Sequence, residues 1–182
     1  MRQLGRAILD INQTDFVVAG VSALACLGTL AGMPVWALFI GWAWYLAIGA
    51  NKTAIREGSV TCVVAAVLAL TAVGLTDVFA SIMPGLQASM LAVFLMIMAL
   101  MVALKLPYVK HSLVGFNSFS CIFAGYYLGA FPVQTDYMLN LVVAFVYIAG
   151  ANILGLFVGW GSQQLAGFSF RRQEEQGKLE IS

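Results

Sequence analysis

Long apolar runs without lysine, arginine or glutamate alternate with short polar segments along most of the 182-residue chain. About 20 consecutive apolar residues are needed for one helix to cross a bilayer, so each run predicts one transmembrane helix. Six spans are predicted, at residues 16–32, 34–50, 58–83, 88–104, 112–131 and 137–160. The four prolines lie at or between the ends of these runs, where a missing N–H donor costs little. The pattern therefore predicts an all-α fold, a six-helix transmembrane bundle.

The two ends of the chain are more polar than the middle. Residues 1–15 are predicted to be a cytoplasmic segment, either an amphipathic helix on the membrane surface or a plain polar tail. Residues 16–165 form the predicted membrane domain, and residues 166–182 a charged cytoplasmic tail. The length leaves no room for a separate soluble domain beside six spans.

All nine lysines and arginines fall in segments that this topology places on one side of the membrane. If the N-terminus is cytoplasmic, they occupy both tails, the connection between the second and third spans, and the connection between the fourth and fifth. The outer ends carry only the acidic residues Asp77 and Asp136. This is a positive-inside distribution, and it predicts a multi-pass protein with both termini in the cytoplasm.

Composition indicates that lipid is the solvent for most of this surface. Hydrophobic residues make up 62% of the chain and charged residues only 9%, against about a quarter charged in soluble domains. The net charge of +1 points to no strongly charged partner, and no nucleic-acid partner is expected. Cys26, Cys62 and Cys121 lie in apolar runs without metal-ligand spacing, so we interpret them as small buried residues.

The two halves of the membrane domain, at about 16–83 and 88–160, share a faint internal repeat. In each half the middle span follows a proline and contains a glycine before an aromatic-rich turn, at Gly41 and Gly115. Because three spans are an odd number, the halves would cross the membrane in opposite senses. We therefore expect two inverted three-helix repeats, with the second and fifth spans as symmetry partners beside a central path.

Gly-x-x-x-Gly spacing occurs three times, at Gly28 and Gly32, at Gly125 and Gly129, and at Gly155 and Gly159. In lipid this spacing lets two helices approach closely. Packing within one chain is the favoured interpretation, and contact between copies of the chain is the alternative. By analogy with small channels, a homo-oligomer is expected.

Short segments in both halves carry a family resemblance. They are Gly20, Pro34-Val35-Trp36, Gly41, Tyr45 and Gly58 in the first half, and Ser112-Leu113-Val114-Gly115 with Cys121-Ile122-Phe123-Ala124 in the second. These segments resemble the small bacterial inner-membrane family of unknown function that includes YcdZ, over roughly residues 16–160. The resemblance implies a multi-span protein of the bacterial inner membrane and supplies no catalytic residues.

Motifs for catalysis are missing from the sequence. The chain has one histidine and contains neither His-Glu-x-x-His nor Gly-x-Ser-x-Gly. No pair of acids lies inside a predicted span, and Glu57 is assigned to a loop. We therefore expect no enzymatic activity, no metal site and no cofactor.

The second and fifth spans carry the residues best suited to line a path. The polar side chains of the fifth span form an arc on one side of the helix that includes Ser118, with Ser120 assigned beside it. Polar side chains that face lipid are costly, so this arc is predicted to face protein or water. Asn117 is the favoured solute contact because its amide both donates and accepts. The predicted path residues are Trp42, Trp44, Tyr45, Phe116, Asn117, Ser118 and Ser120. Helix packing is the alternative for the aromatic residues, and an interhelical hydrogen bond is the alternative for Asn117.

His111, Lys110 and Lys52 are predicted to lie at the cytoplasmic mouth of this path. His111 would act as a gate or as a pH-sensitive group, and its alternative is an interfacial anchor for the helix end. The lysines would attract anions, and their alternative is the setting of topology alone.

Two functions follow from these features. The first is a channel or facilitator for a small neutral or weakly acidic solute, of the class of urea, short amides or short-chain carboxylates. The second is a non-transporting membrane scaffold or accessory subunit, because no sharp binding motif is present.

Overall fold

The computed structural model describes the backbone from Gln13 to Leu179 and the side chains from Asp15 to Gly167. Six helices and no strand form in that part of the chain, which confirms the all-α prediction. The helices are α1 (Gln13–Ala25, continued by the 3-10 segment Cys26–Ala31), α2 (Val35–Ala47), α3 (Lys52–Ala80), α4 (Gly85–Ala103), α5 (Ser112–Tyr127) and α6 (Tyr137–Ala144, the π turn Phe145–Ala149, and Gly150–Leu179). Most of the predicted N-terminal segment lies outside the described residues.

Three of these helices are long and apolar enough to cross a membrane, namely α3, α4 and the Tyr137–Gly167 part of α6. This indicates a membrane protein. Helix α2 has 13 residues and α5 has 16, which correspond to about 20 Å and 24 Å of helix. Both are shorter than a hydrocarbon core of about 30 Å. Six full spans therefore stay a prediction.

Helix α3 begins six residues before the predicted start at residue 58 because Asn51 caps it. The Asn51 side chain accepts a hydrogen bond from the Ala54 N–H at 2.8 Å, which satisfies one of the free donors of a first helical turn. Lys52, Arg56 and Glu57 are consequently helical. The assignment of Glu57 to a loop is wrong.

The inner part of the bundle consists of α2, α3, α5 and α6. Helix α2 packs along α6, α5 packs along α3, and α3 also contacts α6. Helix α4 lies against α3, and α1 lies against α6. The alanines of α3 that face the core, at positions 65, 66, 69 and 72, are fully buried. Their small side chains allow the other helices to pack closely around α3.

Glycine permits a very close contact between α2 and α6. A Cβ atom on Gly41 would overlap the backbone carbonyl of Asn152, and one on Gly155 would overlap the backbone carbonyl of Leu38. The expectation of close packing is therefore confirmed for the pair Gly155 and Gly159. Gly32 and Gly129 instead end helical segments, with φ values of 70° and 61° that L-residues rarely adopt.

Candidate functional site

Four polar side chains meet in the core, and we call them the central polar cluster: Cys62 on α3, Ser118 and Cys121 on α5, and Asn152 on α6. Ser118 Oγ donates to the carbonyl oxygen of Cys62 at 3.1 Å and lies 3.2 Å from Cys62 Sγ. Asn152 Nδ2 donates to the carbonyl oxygen of Ala37 on α2 at 2.7 Å and lies 4.0 Å from Cys121 Sγ. The cluster thus connects all four inner helices.

Asn152 retains one hydrogen-bonding atom without a partner. Its side chain is 0% exposed, and its Oδ1 atom is buried without a hydrogen bond. Leaving a buried acceptor unsatisfied costs about 1–3 kcal/mol. The centre of the bundle therefore offers a free carbonyl oxygen to an N–H or O–H donor that reaches it.

The predicted path residues of α2 are all deeply buried. Trp42, Trp44 and Tyr45 are 5%, 2% and 1% exposed. A Cβ atom on Gly159 would lie 2.8 Å from the Cδ1 atoms of both Trp42 and Tyr45. These two rings therefore fill the interface between α2 and α6. The indole nitrogen of Trp44 is buried without a hydrogen-bond partner.

The predicted path residues of α5 do not share one face. Ser118 belongs to the central polar cluster, whereas Phe116 and Ser120 are exposed in the single chain. Assigning Ser120 beside Ser118 was wrong, because two helical positions correspond to a rotation of about 200°. Asn117 is half-buried and has no hydrogen-bond partner in the described part of the chain.

A charged cluster links the starts of α3 and α5, and we call Glu57, Lys110 and His111 the Glu57 cluster. His111 Nε2 lies 2.9 Å from Glu57 Oε2, and Lys110 Nζ lies 3.7 Å from Glu57 Oε1. The Glu57 side chain is only 15% exposed. Lys52 is exposed and forms no ion pair with another described residue.

Glu57 and Asn152 belong to the two clusters, but the sequence pattern did not predict them as site residues. Glu57 was missed because it was assigned to a loop, although Asn51 is a good helix N-cap a few positions earlier. Asn152 is not among the predicted path residues, and its Nδ2 atom donates an interhelical hydrogen bond to the carbonyl oxygen of Ala37. Nothing in the sequence indicates that the Oδ1 atom of the same amide has no partner.

Of the three cysteines, Cys62 and Cys121 are buried, as expected, but Cys26 is exposed. Among the residues that the structure describes, no group of three or more histidine, cysteine, aspartate or glutamate side chains is arranged to hold a metal ion. Cys62 and Cys121 therefore bring polar sulfur atoms to the central polar cluster.

Comparison with known proteins identifies one family. The family described as "Protein of unknown function (DUF1097)" matches residues 16–167. No curated protein and no solved structure matches the chain. The matched segment contains the central polar cluster and the Glu57 cluster. Because it covers most of the sequence, the chain belongs to the DUF1097 family, a family of unknown function.

Proposed function

We propose that this chain is a six-span protein of the bacterial inner membrane that conducts a small neutral or weakly acidic solute through the middle of its bundle. The observation that carries the proposal is the buried, unpartnered Oδ1 atom of Asn152 in the central polar cluster. A solute with both a donor and an acceptor would complement this carbonyl and the Ser118 hydroxyl. Urea, short amides and protonated short-chain carboxylic acids have both groups.

The lengths and contacts of the helices support two inverted halves, α1–α3 and α4–α6. The middle helix of each half, α2 or α5, is shorter than the helices that meet the length of a span. Short segments at corresponding positions of two halves are a pointer to a transporter's binding site. If the two halves are equivalent, α2 corresponds to α5 and α3 corresponds to α6. The contact between α2 and α6 then corresponds to the contact between α5 and α3, and both contacts are present.

Charge distribution supports the orientation that the proposal requires. The Glu57 cluster and Arg56 lie at the end of the bundle that the positive-inside rule assigns to the cytoplasm. The resemblance to the family that includes YcdZ also favours the inner membrane. In this orientation the Glu57 cluster, including His111, would be at the inner mouth.

The path we propose carries the solute without coupling to an ion, and it is closed in this structure. Trp42 and Tyr45 fill the space between α2 and α6, so α2 must shift before a solute reaches Asn152. No acid belongs to the central polar cluster, and coupling to a cation normally uses buried carboxylates. A neutral path therefore favours facilitated diffusion of uncharged molecules.

Proteoliposome swelling with urea, acetamide and acetic acid would test this function. We expect Asn152→Leu, which keeps the number and branching of the side-chain heavy atoms and removes the amide, to reduce the rate about tenfold, since one hydrogen bond contributes about that factor. Gln87→Leu, which changes an exposed amide on α4, is the matched control and should keep the full rate. Folded wild-type protein that gives no more swelling than empty vesicles would contradict the proposal.

A non-transporting scaffold or accessory subunit is the second candidate. It is favoured by a groove of about 920 Å³ between residues 67–78 of α3 and 137–145 of α6, on the outside of a tightly packed core. We call it the α3–α6 groove. For a scaffold, Asn152→Leu would leave cellular function intact, whereas substitutions in the groove would abolish it.

A further inference from the structure

The α3–α6 groove has the length of one membrane leaflet. Val67 and Val78 mark its two ends on α3, and they are about 16 Å apart at 1.5 Å of rise per residue. A bilayer core is about 30 Å thick, so the groove spans roughly half of it. The Val78 end lies next to the end of α3 at Ala80, where the proposed topology places the outer surface.

Asp77 gives the groove a charged end. It is the only charged residue among the described side chains that line the groove. Its Oδ2 atom accepts a hydrogen bond from the Tyr137 hydroxyl at 2.9 Å. Asp77 is exposed and forms no ion pair with another described residue, so its second carboxylate oxygen is available to a cation.

The rest of the groove suits a hydrocarbon chain. Leu70, Leu141, Val142 and Phe145 are among the side chains that line it. Thr71 also lies there, but its hydroxyl donates to the backbone carbonyl of Val67 at 2.8 Å and is thereby satisfied within α3. The groove therefore combines one anionic end with an apolar channel of leaflet length.

We propose that the α3–α6 groove binds a single phospholipid with a primary ammonium headgroup, of the phosphatidylethanolamine class. The ammonium contacts Asp77, and one acyl chain lies along the groove towards Val67. A primary ammonium has three N–H donors for a carboxylate, whereas the quaternary ammonium of phosphatidylcholine has none. The inference rests on the membrane placement of the proposed function and is independent of solute conduction.

Native mass spectrometry with equimolar phosphatidylethanolamine, phosphatidylcholine and phosphatidylglycerol of identical acyl chains would test the headgroup. We expect the intact chain to retain phosphatidylethanolamine over phosphatidylcholine by about two- to fivefold, the range for a partly exposed ion pair. Asp77→Asn should remove this preference. Asp136→Asn is the control, because it neutralises an acid at the same end of the bundle and asparagine can still cap α6. Equal retention of the two lipids by the wild-type chain would overturn the proposal.

A second pair of variants tests the position of the acyl chain. A Cβ atom on Gly74, which lines the groove, would contact only the Tyr137 hydroxyl, at 3.6 Å, so Gly74→Leu adds apolar volume to the groove from a position where the Cβ atom meets no backbone. Gly150→Leu is the control, since nothing lies within 4 Å of a Cβ atom there. Both variants should elute as folded protein, and only Gly74→Leu should lose the retained lipid.

Three results would count against a lipid in the groove. Retention of phosphatidylethanolamine by folded Gly74→Leu would place the lipid elsewhere. If the wild-type chain forms dimers that retain no lipid, and Gly74→Leu dissociates them, a second copy of the chain occupies the groove. An unchanged preference in Asp77→Asn would exclude the carboxylate as the headgroup contact. Solute swelling measured on the same variants separates failure of this inference from failure of the proposed conduction.

Discussion

Gly155 lies at a point of α6 where a larger residue does not fit, whereas Gly150 on the same helix faces open space. We expect Gly155→Ala to lower the free energy of unfolding by about 1–3 kcal/mol, because the added methyl group would strike the α2 backbone. Gly150→Ala should raise it by up to about 1 kcal/mol through better helix propensity. Denaturant unfolding in detergent, followed by circular dichroism, measures both. Equal effects of the two variants would contradict the close contact of α2 with α6.

Residue types were easier to predict than the surroundings of individual atoms. The sequence predicts that Ser118 belongs to a polar face of the fifth helix, and Ser118 lies in the central polar cluster. It does not predict that Asn152 has a paired Nδ2 atom and an unpaired Oδ1 atom. That difference depends on the position of the α2 backbone, which only tertiary packing determines.

At the scale of elements, the Glu57 cluster joins the first turns of α3 to the start of α5. Because Glu57 and His111 are mostly shielded from water, their interaction should be stronger than that of an exposed pair. In a double-mutant cycle with Glu57→Gln and His111→Gln, we expect a coupling energy of about 1 kcal/mol. Unfolding of the four proteins at neutral pH measures it. The same cycle with Lys52→Gln in place of His111→Gln should give no coupling.

Helix boundaries were predictable where local chemistry sets them. Pro34 and Pro84 immediately precede the first residues of α2 and α4, as expected for prolines at helix starts. The π turn Phe145–Ala149 inside α6 was not predicted. Ile148 of that turn lies 2.7 Å from the position of a Cβ atom on Gly125. A contact between positions so distant in the chain leaves no periodic signal in the sequence.

At the scale of the whole molecule, the apolar pattern alone predicts an all-helical chain, but it does not predict which helices are neighbours. The faint repeat placed α2 and α5 as symmetry partners beside a central path, and each packs mainly on a long helix, α6 or α3. The candidate site therefore lies where all four helices meet, and α6 contributes Asn152 to it. A repeat predicts which elements are equivalent, whereas their contacts depend on how closely small residues let helices approach.

The proposed six spans predict opposite sides of the membrane for Thr53 and Thr135, which are both exposed and are separated by α3, α4 and α5. In a background with Cys26, Cys62 and Cys121 replaced, Thr135→Cys should react with a membrane-impermeant maleimide in intact cells. Thr53→Cys should react only after permeabilisation. The lysine and arginine of the connection between the second and third spans place this position in the cytoplasm under the positive-inside rule. The outcome depends on whether α5 crosses the membrane, since at 16 residues it is shorter than an ordinary span. Labelling of both positions from the same side would mean that α5 does not cross, and would remove the basis for inverted halves.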